Sequence, residues 1–162
     1  MIFSLFTTSI IGCQESGSTL DHPSPPRHSL DIEGEVKMQA EVSWVNSTNE
    51  LETKIWAVNL DSDNATIETG PCAFNVLAYT SWGEDKELVW YNKMPENYIC
   101  FDELLRYTIP PKDTIQIEKQ QQYISGDHWH WNVPHGNLKF VLEAYTKEEK
   151  SIKFDANAVT IN

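Results

Sequence analysis

The chain has 162 residues and a formal net charge of −12, because 24 acidic residues outnumber 12 basic ones. This length is typical of one domain, and a hydrophobic share of 40% with 11% aromatic residues excludes a fully disordered protein. The acidic balance argues against nucleic acid as a partner, since lysine and arginine must neutralise the phosphates. It also argues against electrostatic binding to anionic lipids.

The first twelve residues have the character of a signal peptide. Residues 2–12 carry no charge and are mostly apolar or small. They are too few to span a bilayer, which needs about 20 apolar residues, but they fit the apolar region of a signal peptide, about 7–15 residues. A signal peptide begins with basic residues, and none precedes this stretch. We therefore expect residues 1–12 to be a truncated signal peptide whose true translation start lies upstream.

The apolar stretch ends in Ile10-Ile11-Gly12-Cys13. This ending resembles the lipobox of bacterial lipoproteins, in which an aliphatic residue and two small or apolar residues precede a cysteine. In that family the cysteine receives a diacylglycerol and becomes the new N-terminus, and Cys13 stands at the matching position. The resemblance implies a lipid anchor in the cell envelope, facing the periplasm or the exterior, and Gln14 favours the outer membrane over the inner one. The alternative is a plain apolar N-terminus with an unrelated cysteine.

Residues 13–35 are predicted to be the lipidated cysteine and a flexible linker. The segment contains serine, glycine and three prolines but almost no apolar cluster. It therefore buries too little surface to offset the entropy of its ordering. Such a composition is typical of a partly polyproline tether.

Residues 36–162 are predicted to form one all-β domain. Apolar and polar residues alternate from Val36 to Trp44, which is typical of a half-buried strand. Similar patterns at a spacing of roughly ten residues predict seven to nine short strands and no long helix. We expect an Ig-like antiparallel β-sandwich with a disordered N-terminal tether. Residues 92–105 are expected to be irregular, with a helical turn at Asp102–Leu105.

Two cysteines remain once Cys13 is assigned to the lipid. Cys72 and Cys100 are an even pair in a chain predicted to be exported, so we expect a disulfide between them. A redox or metal-binding thiol pair is the alternative. It is disfavoured because the sequence has no CxxC motif and no further ligands at zinc spacing.

The loop at residues 125–136 is the most unusual stretch of the domain. Exposed aromatic side chains anchor protein interfaces, so we predict a partner-binding loop, with stacking on a carbohydrate as an alternative. Three imidazoles suit copper or zinc, which makes a metal site the alternative function, although histidines two apart in an irregular loop fix no geometry. The predicted contact residues are His128, Trp129, His130, Trp131 and His135, and the metal alternative uses His128, His130 and His135.

No catalytic residue and no cofactor are predicted. Ser125, Asp127 and His128 are the residue types of a hydrolytic triad, but a triad needs groups that converge in space, which near neighbours in sequence do not. The chain has no GxSxG elbow, no HExxH motif and no glycine-rich phosphate loop. We expect a protein that is not an enzyme.

Several segments resemble the intracellular proteinase inhibitor family of the BsuPI type, whose members are small Ig-like β-sandwiches. The likeness rests on turns and strand starts, and the chain departs from the family at Lys112, His135 and Leu138. It implies an Ig-like module with a protein partner, a protease being the kind of partner, and it carries over no inhibitory residue. The matching segments are LETKIWAVNLDSDNATIE, ELVWYNKM, YTIPPKDTIQIEKQQQYI and VPHGNLKFVLEAYT.

Overall fold

The computed structural model describes residues 20–26, 28–47, 50–70, 72–80, 86–92, 104–123 and 133–161, with the side chains of all except 118–123. The regular elements of these ranges are all β-strands, and none of the ranges contains a helix long and apolar enough to cross a membrane. The strands are β1 (Asp31–Glu33), β2 (Val36–Val45), β3 (Glu50–Asn59), β4 (Ala65–Thr69), β5 (Phe74–Tyr79), β6 (Leu88–Tyr91), β7 (Leu105–Ile109), β8 (Thr114–Tyr123), β9 (Gly136–Tyr145) and β10 (Ser151–Ile161).

The strands form three sheets, each named here by a central strand. The β4 sheet has the order β1-β4-β7, the β3 sheet has the order β2-β3-β8, and the β9 sheet has the order β10-β9-β5-β6. Every pair of neighbouring strands is antiparallel. The predicted all-β sandwich of antiparallel sheets is therefore confirmed.

Alternation along the strands produces the common core. In β3 the side chains of Leu51, Ile55 and Ala57 are fully buried, while Glu52, Lys54, Trp56 and Val58, which alternate with the buried positions, are partly exposed. Each apolar side chain buried in this way contributes roughly 1.5–3 kcal/mol. The core cluster takes residues from all three sheets, including Val42, Ile55, Ile67, Ile109, Phe74, Phe140 and Leu142.

Strand β10 joins the β9 sheet to β2 through a side chain. Its register against β9 shifts between Asp155 and Ala158. Asn157 lies within this bulge, where its Oδ1 accepts from the Val42 N–H at 2.6 Å and its Nδ2 donates to the Val42 carbonyl at 2.7 Å. One amide side chain therefore makes the two hydrogen bonds that a strand backbone would otherwise supply.

The folded domain begins before Val36, so the predicted end of the linker at residue 35 is wrong. Leu30 is fully buried in the core, and its N–H donates to the Tyr145 carbonyl at 2.8 Å. Strand β1 then pairs with β4. Three residues are too short to show an alternating pattern, and their partner lies more than 30 residues away, so local sequence carries no signal for this strand.

Strand β7 replaces part of the segment predicted to be irregular. Leu105 opens the strand opposite Thr69 of β4, so the helical turn predicted to end at Leu105 is wrong there, and residues 102–103 lie outside the described residues. Tyr107 and Ile109 point inward between exposed neighbours. The strand has five residues, and pairing with β4 decides its conformation.

Candidate functional site

Most of the predicted partner-binding loop lies outside the described residues. His128, Trp129, His130 and Trp131 fall there, so their roles stay predictions. His135 is described and exposed. It follows Val133, which is 5% exposed and belongs to the core. Buried Val133 therefore fixes the end of this loop to the sandwich next to β9.

The described residues also contain no preformed metal site. No three histidine, cysteine, aspartate or glutamate side chains within them are grouped so that they could bind an ion. His135 is the one member of the predicted metal set among them, so the set of His128, His130 and His135 stays a prediction.

Cys72 is buried, at 1% exposure. Cys13 and Cys100 both lie outside the described residues. Pairing of Cys72 with Cys100, and attachment of a lipid to Cys13, therefore stay predictions.

An N-terminal strap, Leu20–Pro26, makes several polar contacts with the β9 sheet. The strap crosses the outer face of the β9 sheet, the face turned away from the core. Pro23 is buried, and the Ser24 carbonyl accepts from the Asn75 side-chain amide at 3.1 Å. These residues were predicted to be a free linker, and the contacts correct that prediction for the strap.

A buried carboxylate lies beneath the strap. Glu143 of β9 points to the outer face and is nevertheless only 1% exposed. Its Oε1 accepts from Ser151 Oγ at 2.8 Å and lies 3.0 Å from Lys153 Nζ. Its Oε2 accepts no hydrogen bond within the described part of the chain and lies 3.6 Å from His22 Nε2.

His22 connects this cluster to the strap. Its Nδ1 lies 3.2 Å from the Pro23 carbonyl, and its Nε2 lies 3.3 Å from Lys153 Nζ. His22 thereby connects the ion pair of Lys153 and Glu143 to the strap.

The two tyrosines near this carboxylate are harder to ionise than usual. Burial raises the pKa of Tyr79, Lys153 lowers it and Glu143 raises it. Burial also raises the pKa of Tyr145, where Glu143 adds to the effect through its charge and a hydrogen bond. The cluster thus disfavours further negative charge beside Glu143.

The contacts of this cluster attach the strap to the sheet, and they do not match the arrangement of a serine triad. Ser151 donates to Glu143, whereas the serine of a Ser-His-Asp triad donates to an imidazole. His22 Nε2 lies 3.3 Å from Lys153 Nζ. The sequence prediction missed this cluster because Glu143 follows an apolar run in β9 and looks like an ordinary outward-facing residue.

Two adjoining cavities of about 410 Å³ each lie between the strap region and the hairpin that joins β9 to β10. Lys147 borders both and is held by Asp31 at 2.5 Å and Glu68 at 3.3 Å, contacts that raise the pKa of Lys147. His28 lines one cavity, and its buried Nδ1 has no hydrogen-bond partner among the described residues. Gly70 permits this placement, because a Cβ there would lie 2.4 Å from the His28 ring.

Exposed leucines occur near the strap and near the end of the sandwich at which the hairpin joins β9 to β10. Leu104 is 53% exposed and Leu105 is 39% exposed, where β7 begins at the edge of the β4 sheet. Leu20 of the strap is 44% exposed.

Comparison of the chain with protein-family models gave no match, and comparison with curated proteins gave none either. The likeness to the BsuPI type stays a resemblance of short segments.

Proposed function

We propose that this chain is a non-catalytic, lipid-anchored cell-envelope protein whose β-sandwich binds a protein partner. The observation that carries the proposal is the end of the predicted loop, where exposed His135 follows core residue Val133. A loop attached to a rigid sandwich in this way can present side chains without disturbing the core, as binding loops commonly do. The resemblance to BsuPI-type inhibitors favours a protease as the partner.

The lipid anchor rests on the lipobox-like Ile10-Ile11-Gly12-Cys13. Several acyl chains at about 0.8 kcal/mol per buried CH₂ hold a protein firmly in a bilayer. We expect the wild type to float with membranes and Cys13→Ala to be released, while Ser16→Ala, a matched control, stays bound. Membrane retention of Cys13→Ala would contradict the anchor.

The binding proposal is tested by photocrosslinking from position 135 in the full chain, within cells that make it. A discrete adduct should form and should be lost in Trp129→Ala/Trp131→Ala. Trp56→Ala, which removes a partly exposed tryptophan from β3, is the matched control and should keep the adduct. The absence of an adduct, or an adduct that also forms in the loop variant, would contradict binding through this loop.

The inhibitor form of the proposal has its own assay. Purified protein is added to serine, cysteine and metal-dependent endopeptidases, with the same loop variant and control. Inhibition by the wild type and by Trp56→Ala, but not by the loop variant, is expected. If every peptidase stays fully active, the partner is not a protease of these classes.

A further inference from the structure

The strap limits how far the predicted lipid at Cys13 can lie from the sandwich. Cys13 and Leu20 are seven residues apart, a distance that spans at most about 25 Å when fully extended. Were the chain free up to Asp31, the eighteen residues from Cys13 would reach about 60 Å. Docking of the strap therefore replaces a long tether by a short one.

The strap is fixed at several points that are chemically independent. His22 contacts the ion pair of Lys153 and Glu143, and Ser24 accepts from Asn75. Farther along, the His28 N–H donates to the Cys72 carbonyl at 3.4 Å, and Leu30 enters the core. The chain is thus held on both sides of Pro25 and Pro26, and proline adds stiffness because its φ is fixed.

The strap lies near one end of β9, and the predicted partner-binding loop joins the other. Glu143 is close to the C-terminal end of β9, whereas Gly136 starts the strand immediately after His135. Nine steps of about 3.3 Å separate Gly136 from Tyr145, or about 30 Å. The contacts of the strap and the residue that follows the predicted loop therefore lie toward opposite ends of one strand.

Leu20, Leu104 and Leu105 lie toward the strap end, whereas Leu60, which is 39% exposed, follows β3. Leu105 pairs with Thr69, and the adjacent Glu68 binds Lys147 in the hairpin between β9 and β10. Leu20 belongs to the strap itself, two residues before His22. Leucine side chains placed near an acyl anchor suit the boundary between lipid headgroups and acyl chains, as in interfacial anchors.

We propose that the strap end of the sandwich rests on the lipid surface and that the His135 end points away from it. This orientation depends on the proposed lipid anchor. Leu20, Leu104 and Leu105 contact the bilayer, and the strap prevents the domain from turning over. Gly136, at the start of β9, then stands up to about 30 Å farther from the membrane than the hairpin between β9 and β10, on the side where a partner can approach.

The test measures energy transfer from the full chain to acceptor-labelled headgroups in phosphatidylethanolamine–phosphatidylglycerol vesicles. A donor amino acid is placed at exposed Glu148 in the hairpin or at exposed Thr160 at the far end of β10. Transfer from position 148 should exceed that from position 160 about twofold or more, because the hairpin and Thr160 lie at opposite ends of β10, about 30 Å apart. Equal transfer from both positions would overturn the proposal.

Two sets of variants test whether the strap and the leucines cause the difference in energy transfer between positions 148 and 160. His22→Ala/Pro23→Gly alters only the strap and should remove most of the difference, while hydrogen exchange shows faster exchange in residues 20–26. Leu104→Glu/Leu105→Glu should reduce it, whereas Ser47→Glu, a charge added at the exposed turn after β2, should not. An unchanged difference in the strap variant would also overturn the proposal.

Failure of the lipid anchor has a separate signature. Chains that do not float with the vesicles lack a lipid, which contradicts the proposed function. In that case Cys13 is coupled to a maleimide phospholipid and the two donor positions are measured again. A preference for position 148 would then support the orientation, and equal transfer would overturn it.

Discussion

Two buried polar residues, Asn59 and Glu143, show how single side chains organise this fold. Asn59 is fully buried, and its Nδ2 donates to the carbonyls of Asp63, Ile109 and Pro110 while its Oδ1 accepts from the Asp61 N–H. One amide thus ties the turn after β3 to the end of β7. Glu143 is buried by the strap and is neutralised by a lysine.

Replacing Asn59 should destabilise the protein strongly. In Asn59→Ala the buried Ile109 carbonyl loses its side-chain donor, and an unsatisfied buried group costs about 1–3 kcal/mol. We expect the free energy of unfolding in urea to fall by about 2–3 kcal/mol, with several bonds lost together. Asn64→Ala, at an exposed position of the same turn, should change it by less than about 0.5 kcal/mol. Equal effects of the two substitutions would contradict this role.

Glu143 should govern the ionisation of two tyrosines. Its charge raises the pKa of both Tyr79 and Tyr145, after the larger effect of burial. Because both pKa values are raised in the folded state, their contribution to stability is present below pH 10 and is lost as pH rises through the folded pKa values. Glu143→Gln should lower both pKa values in an alkaline titration followed by NMR. Glu41→Gln, at an exposed position of β2, should leave them unchanged.

At the scale of elements, short strands depend on their partners. Strands β1 and β7 have three and five residues, and both add to β4 in antiparallel register. Neither has enough alternating residues to be recognised alone, since periodicity needs several repeats. By contrast, β2 and β3 have ten residues each and are read directly from their pattern.

The contact between β10 and β2 depends on one amide. Asn157→Ala removes both hydrogen bonds to Val42, so we expect a loss of about 1–3 kcal/mol in the free energy of unfolding and faster hydrogen exchange at the Val42 amide. Asn137→Ala, at an exposed position of β9, is the control. Unchanged exchange at Val42 in Asn157→Ala would contradict this bridging role.

At the scale of the whole molecule, the proposed disulfide would close a long loop. Cys72 and Cys100 are 28 residues apart, and the chain-entropy model gives roughly 3–4 kcal/mol for such a crosslink. Cys100→Ser should lower the free energy of unfolding by about that amount and leave Cys72 as a reactive thiol on unfolding, as shown by mass analysis after alkylation. Cys13→Ser should leave the crosslink intact. A crosslink between Cys72 and Cys13 would exclude both the predicted pairing and the lipid.

Local sequence was sufficient for the long strands and for the class of fold. Alternation from Val36 to Trp44 and from Leu51 to Ala57 predicts which side chains enter the core, because side chains on a strand point to opposite faces in turn. Turn residues between these patterns separate the strands. The same reasoning failed for residues 20–35, since a polar, proline-containing segment has no periodic signal.

Sequence by itself determined that the chain forms an antiparallel β-sandwich, because a pattern of period two is local and sufficient. Only the tertiary structure decided that the strap covers Glu143, that Leu30 enters the core and that β1 and β7 flank β4. Each of these depends on residues far apart in the chain, such as His22 with Lys153 or Asp31 with Lys147. Such contacts form because the folded sheet brings the partners together, and no local pattern encodes them.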